Sequence, residues 1–571
     1  MALADFAKTV IDTDLLVIGG GTGGAPLAAK AAEAGLRVTI AEKSDIQRSG
    51  NIAHGVDSYG ILPNGITIEE LLPMYYERMT KRNQGNGRNC NFNVDYRIFK
   101  EAWWAVTELE RMGIPMKWDD GDYYWVPHMI HGKGGLRLGL RVHWNDVKPK
   151  MAKMCAERGV QTLNRIMICD LLTDNGRVVG ATGLNTRTGE FVVIKAKAVV
   201  VATGMFCRMF QPETPLIYKY QMRYHYNPAS CSGDGWAAAY RAGGGLAHMD
   251  DASWALRIRD DINNSYGNFV NNDGFMAHQY YWNGEPASPY HANTYLGNRE
   301  AETMGLTPIY QSLENMPEEF QDQLEMNFLD ERMVSLKLAA DRGFNPRTHR
   351  YEMMSYKPLQ MMMIHGLLVD ENFENPYLKG LFAVGDAAAG VGGAYGACTS
   401  GLLVGRDVDK YISTVGESNI DEGQVAASYE RVMAPADVKD GTMPMELECA
   451  IRHIMEYYCG ALKSEGKLTE GIKRFESLKR EFLPKLMAPN PHYLMRAMEV
   501  RNIMQLAELH LYGSYNRKET RGQFVRLDYP ETDHSRDNYY TINRMVDGKD
   551  VVEKVLVPDL NPEIVEALKQ S

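Results

Sequence analysis

The residues best suited to chemistry lie near the start of the chain. In Asp14-Leu15-Leu16-Val17-Ile18-Gly19-Gly20-Gly21-Thr22-Gly23-Gly24 an apolar strand runs into glycines spaced to cradle a pyrophosphate. Gly19 permits the tight turn, Gly21 lets the backbone approach a phosphate, and Gly24 lets the following helix pack close to the strand. The amide end of that helix, expected over 25–34, attracts negative charge. A second apolar strand, 36–41, ends at Glu42, whose carboxylate can accept hydrogen bonds from an adenosine ribose and disfavours a 2′-phosphate. Glycine turns also serve backbone geometry alone. The order strand, glycines, helix, strand, acid is what points to a dinucleotide.

A second strand ending in glycine and acid, 380–386, closes on Gly385-Asp386, and such an acid can hydrogen-bond a ribityl or ribose hydroxyl. A glycine-dense loop over 390–401, which includes Ser400, then leads into a helix expected from about 402 to 414, whose start would offer amides to an electron-rich ring. These groups need a scaffold. Turns at Asp174-Asn175-Gly176 and Thr186-Arg187-Thr188-Gly189 separate short strands over 178–184 and 191–194, a meander. The apolar run 198–201 ends in Ala202-Thr203-Gly204 and suits a buried strand returning to the nucleotide-binding sheet. A purely structural strand and turn fits those residues equally well. Two nucleotide-contacting ends so far apart in sequence imply an inserted domain between them. The expected organisation is an α/β, Rossmann-like nucleotide-binding domain over 1–248 and 356–418, an inserted domain over 249–355 and a helical C-terminal domain over 419–571.

Composition narrows the partners. At 571 residues the chain can bury several cores, and 44% hydrophobic with 24% charged residues is ordinary for a soluble protein. A net charge of -11 argues against nucleic acid, and no basic stripe suggests a membrane surface. No apolar run reaches transmembrane length and the N-terminus has no signal-peptide pattern, so direct membrane insertion is not expected and the cytoplasm is the simplest location. The eight cysteines are scattered, with no pair at the two-residue spacing that iron-sulfur or zinc sites favour, so no metal site is expected. Cys231 and Cys398 lie in glycine-rich segments where a redox role can be imagined, beside the plainer reading of small buried hydrophobes.

At this point the chain resembles a family. Asp14 to Gly24, Glu42-Lys43, Arg48-Ser49-Gly50, Ser232-Gly233-Asp234-Gly235, Gly385-Asp386 and Arg517-Lys518-Glu519-Thr520-Arg521-Gly522 are similar to the fumarate reductase and succinate dehydrogenase flavoprotein superfamily. Within it, Arg48-Ser49-Gly50 and Asn185-Thr186-Arg187-Thr188-Gly189 look most like the flavoprotein subunit of adenylylsulfate reductase. The resemblance implies FAD held by Gly19, Gly21, Gly24, Glu42, Lys43, Ser49, Gly50, Gly204, Asp234, Gly385, Asp386 and Ser400, with the inserted domain as a cap. Gly50 falls where some relatives carry the histidine that binds flavin covalently, which implies a noncovalent FAD here.

Two departures bear on substrate. Where fumarate reductases resembling this chain use a histidine and an arginine to hold a substrate carboxylate, the aligned positions look like Met361 and Tyr395. A dicarboxylate would lose its charge-assisted partners, which makes fumarate a poor candidate. Arg257 resembles the arginine that faces substrate in adenylylsulfate reductase and can bind an anion, while an ion pair with neighbouring acids is its structural alternative. His54 and His365 are candidate proton donors or acceptors, with a hydrogen-bonded structural histidine as the alternative. His128, His131 and His143 lie in a tract rich in Trp, Tyr and Gly, at a spacing that does not define a metal site.

The expected protein is therefore an FAD-dependent oxidoreductase acting on a small molecule and exchanging electrons with a separate iron-sulfur protein. A self-contained ene reductase or dehydrogenase for an apolar or aromatic substrate, and a non-catalytic flavin-binding assembly subunit, are the alternatives.

Overall fold

The apolar runs of the first 200 residues, with one strand from much later, build a five-stranded parallel sheet in the order Leu381–Ala383, Ala198–Val201, Leu15–Ile18, Val38–Glu42, Gln161–Asn164. The computed structural model describes residues 6–570 apart from 54, 57, 62–67, 71, 74–75, 77–90, 126–138, 211–227, 256–277, 294, 315–316, 319–320, 323–332, 354–356, 362–363 and 418. Leu15, Leu16, Val17, Val199, Val200 and Val201 are fully buried, as expected of parallel strands covered on both faces. The register is what matters for function. Ile18 pairs with both Ala41 and Val201, and Val201 pairs with Ala383, so four strands end level and release their loops at one carboxyl edge.

The helix Gly24–Glu33 covers one face of this sheet. A second helix, Gly393–Ile412, packs along it and corrects the expected loop: the glycine-dense segment is helical from Gly393, not from about residue 402. The reason is steric. A Cβ on Gly401 would lie 2.2 Å from the Gly23 carbonyl oxygen, and one on Gly405 2.6 Å from that of Leu27, so these glycines let two helices meet backbone to backbone.

The meander is present as Ile166–Asp174, Arg177–Asn185 and Phe191–Lys195 in antiparallel order, extended by Thr9–Asp12 running parallel to Phe191–Lys195. Within the inserted stretch, His278–Tyr281, Ile309–Ser312 and Tyr351–Glu352 form a small antiparallel sheet, and Ser253–Ala255 pairs with Lys357–Gln360 where the chain leaves and returns. Helices Glu422–Asp437, Pro444–Tyr458, Glu465–Glu481 and Pro491–Asn516 dominate the C-terminal stretch. It also holds a hairpin, Tyr539–Val546 with Lys549–Leu556, whose first strand pairs with Leu246–Ala247 and ties the end of the chain to the nucleotide-binding half. Among the described residues no helix is long and apolar enough to cross a membrane.

Candidate functional site

The level carboxyl edge gathers the loops 19–23, 42–43, 202–204 and 384–386 around one open-mouthed cavity. Ten of the twelve residues expected to hold a cofactor line it: Gly19, Gly21, Glu42, Lys43, Ser49, Gly50, Gly204, Asp234, Gly385 and Asp386. Gly24 and Ser400 stand one layer behind. A Cβ on Gly24 would sit 2.0 Å from the Gly19 oxygen, so this glycine sets how closely the helix approaches the turn. The Ser400 hydroxyl accepts from the Gly385 amide at 3.1 Å and donates to the Gly396 carbonyl at 2.7 Å, fastening the acid-bearing turn to the helix.

The fingerprint glycines divide their tasks. Gly19 has φ +100°, and a Cβ there would lie 2.6 Å from the Ala202 oxygen, so the turn and the neighbouring loop both require glycine. Gly21 lines the cavity with no atom within 4 Å of its Cβ position: its open face is toward the cavity. Neither N-cap residue, Gly23 or Gly392, has a side chain to cap the helices that begin at Gly24 and Gly393, so their first turns attract negative charge, the Gly393 amide already meeting Asp386. Glu42 accepts the Gly20 amide at 2.9 Å through one oxygen and the Ser44 amide at 2.8 Å through the other, so it holds the glycine turn while lining the cavity.

Lys148 was not anticipated. It is 1% exposed and donates to the Gly20 carbonyl; burial pulls its ammonium down to about 8 while the nearby Glu42 carboxylate opposes the fall. Nothing in the sequence marks it, because a lysine near the start of an ordinary helix is usually solvated. Lys43 is committed inward, donating to Asp234 at 2.7 Å, Glu499 at 2.8 Å, the Ser232 hydroxyl at 2.8 Å and the Ser230 carbonyl at 2.8 Å. Burial alone would lower that ammonium, but the carboxylates of Asp234 and Glu499 raise it above the usual lysine range. Glu499 also accepts from Arg208 and Arg496, and Glu448 from Arg208, Arg452 and Arg496, a buried ionic lattice that fixes the floor under Asp234. Removing one partner from such a lattice costs about 3 to 5 kcal/mol because a buried charge is stranded.

Other groups on the wall are uncommitted. Ser49 Oγ, Thr203 Oγ1 and Asp386 Oδ1 are buried without a hydrogen-bond partner among the described residues. Burial pushes the Asp386 carboxyl up to about 7, opposed by a hydrogen bond from the Gly393 amide. Two unpaired hydroxyls, an unpaired carboxyl oxygen, an open glycine face and two helix starts with glycine N-caps fit FAD, whose diphosphate and polyol supply the missing partners.

The substrate-side expectations are placed unevenly. Arg257, His54, His128 and His131 lie outside the described residues. His143 packs its ring on Trp118 at 3.9 Å. His365 is 1% exposed and is not part of the cavity wall; it lies within electrostatic reach of His510, whose imidazole burial holds down at about 3. Met361 is fully buried, its backbone exchanging hydrogen bonds with Phe206 at 2.7 and 3.1 Å. Tyr395, in the first turn of the helix Gly393–Ile412, packs at a tilt against Phe99 with ring centroids 5.3 Å apart.

Known proteins share this architecture. The family model described as FAD binding domain matches residues 14–402, and that described as fumarate reductase flavoprotein C-term matches 449–560. The fumarate reductase flavoprotein subunit of Haemophilus influenzae is 24% identical, over 92% of this chain and 90% of its own. One subunit of the fumarate reductase (CoM/CoB) of Methanothermobacter marburgensis is 22% identical, over 94% and 98%. Among solved structures, adenylylsulfate reductase from Archaeoglobus fulgidus superimposes with a TM-score of 0.82 at 22% identity, covering 98% of this chain and 97% of that one.

Proposed function

Because the chain belongs to the fumarate reductase and succinate dehydrogenase flavoprotein superfamily and is an FAD-dependent oxidoreductase, we propose that it passes electrons between a small substrate other than fumarate and a separate iron-sulfur protein. The observation that carries the flavin half of this reading is the set of uncommitted polar atoms on Ser49, Thr203 and Asp386 at the carboxyl edge of the sheet.

FAD, when bound, supplies two-electron exchange at N5 of its ring. The chain's residues bind and orient it. The amides around Gly21 receive the diphosphate, Glu42 the adenosine ribose, and Asp386 a hydroxyl of the polyol. Gly50, at φ +84° on the cavity wall, presents no side chain to attach to the ring, so the FAD is noncovalent. A separate partner is supported by the relatives named as subunits, and its iron-sulfur character by the family resemblance of the sequence together with the wide spacing of this chain's cysteines.

The exclusion of fumarate rests on Met361 and Tyr395. Both carry neutral side chains where the resemblance places a histidine and an arginine, and a dicarboxylate gains no charge-assisted bond from either. Arg257 is the proposed anion-binding residue, and His54 and His365 the proposed proton carriers. The test is rapid mixing of the reduced holoenzyme with acceptors. Reoxidation by a ferredoxin but not by fumarate is expected, and fast reoxidation by fumarate would overturn the substrate reading.

A further inference from the structure

Beyond the fingerprint, the chain leaving the sheet after Val201 meets a returning segment beside the cavity. Phe206 pairs antiparallel with Ser232, which sets Cys207 directly opposite Cys231. The Cys207 amide donates to the Cys231 carbonyl at 3.1 Å, the Cys207 thiol approaches that same oxygen at 3.4 Å, and the two side chains pack in one buried cluster. Directly opposed residues on antiparallel strands have Cα atoms about 4.5 to 5.5 Å apart, inside the range of about 4.4 to 6.8 Å that a disulfide spans. Both cysteines are buried, in a small cluster with Met205 that is separate from the main core. Cys231 and its neighbour Asn51 line the cavity, and Asn51 holds the cluster in place, accepting from the Cys231 thiol at 3.7 Å and donating to Met205 Sδ at 3.9 Å.

We propose that Cys207 and Cys231 are a redox-active dithiol that exchanges two electrons with the flavin in the adjoining cavity. Joining the two sulfurs breaks two S–H bonds and forms one S–S bond, releasing two electrons and two protons. Those equivalents reduce the oxidised FAD, and the reverse step returns them to the disulfide. The chain thereby stores two electrons more than its flavin holds, beside the flavin and ahead of any external partner. The position favours one exchange partner: both sulfurs are buried among the described residues, and a group bound in the cavity borders Cys231. The neighbouring Cys207 side chain and burial both push the Cys231 thiol up, opposed by the Lys43 ammonium, so Cys231 rests protonated.

Anaerobic reductive titration of the oxidised holoenzyme is expected to consume four electrons per FAD, and Cys207→Ser and Cys231→Ser variants two. Independently of turnover, wild-type protein oxidised with its flavin, denatured and alkylated should carry two fewer labels than the reduced protein, with a peptide joining Cys207 to Cys231. Uptake of two electrons by wild type, with both cysteines alkylated in the oxidised protein, would overturn the proposal. The wild-type labelling result stands even where a serine variant does not fold. Normal FAD content in that same protein separates failure of the dithiol from failure of the flavin reading.

Discussion

The two glycine-rich segments of this chain look alike in sequence and act differently. Along 19–24 one backbone face stays open: Gly21 looks into the cavity, while Gly19 adopts a conformation closed to other residues and Gly24 packs on the turn. Along 396–405 the backbone is turned inward, with Gly401 and Gly405 pressed onto the carbonyls of Gly23 and Leu27. One segment leaves a backbone face at Gly21 to a ligand; the other spends its close-packed glycines on the fold. The same division runs through the acids. Asp386 has an oxygen without a partner on the cavity wall, whereas Asp14, at the opposite edge of the sheet, is already paired with Arg37 and Lys197.

The harshest test of this contrast is Gly401→Val. Its Cβ would be driven into the Gly23 oxygen in a seam with no room to yield, an overpacking cost of about 3 kcal/mol or more. Thermal melting of the apoprotein should fall sharply and FAD content should fall with it; an unchanged melt would place the seam elsewhere. Gly21→Val should do the converse. With no protein atom near the new Cβ the apoprotein should melt like the parent, while FAD affinity drops by roughly 100-fold or more, about 2.7 kcal/mol, because the diphosphate can no longer approach. A variant that loses both stability and flavin would erase the distinction between the segments.

Asp386 sharpens the comparison through pH. Its carboxyl is raised to about 7 in the fold from an ordinary value near 4, so the folded state holds a proton that the unfolded chain has lost between those values. Stability contributed by the neutral acid is complete at low pH and is lost as pH rises through 7. Asp386→Asn should therefore melt above the parent apoprotein at pH 8, the gap closing by about pH 4, while FAD binds more weakly because a carboxylate acceptor is gone. Equal melting at both pH values would show that Asp386 carries no such strain.

The smallest effect is expected from the committed acids. Burial would raise Asp14, but hydrogen bonds from Arg37 hold it down at about 2; Glu33 is held similarly by Arg111 and Arg158. Their contribution is present above the ordinary carboxylate range and is lost as pH falls from about 4 to 2. Asp14→Asn should lower stability modestly at neutral pH, with the difference vanishing by pH 2, and should leave FAD affinity unchanged. Altered flavin binding would show that the two edges of the sheet are coupled.

The nucleotide-binding half was legible because each of its signals is local. Positive φ at Gly19, continuous apolar runs for strands buried on both faces, and an acid at a strand end are read one segment at a time. The start of the helix Gly393–Ile412 was misplaced because local rules count glycine as a helix breaker, and nothing local reveals that another helix will cover it. Lys148 was missed for the same reason: its burial is imposed by the turn it supports, 128 residues away in sequence.

By itself, then, the sequence determined the cradle, the elements around it and the family to which they belong, since strand, turn and helix depend on neighbouring residues. Only the tertiary structure decided which of the groups in those motifs remain uncommitted. It turned Lys43 into the ionic lattice beneath Asp234, set Ser400 behind the wall, left Ser49, Thr203 and Asp386 facing the cavity, and brought Cys207 opposite Cys231. A side chain's chemistry is a property of its residue type, but its availability depends on partners hundreds of residues distant, and only folding brings those partners within hydrogen-bonding reach.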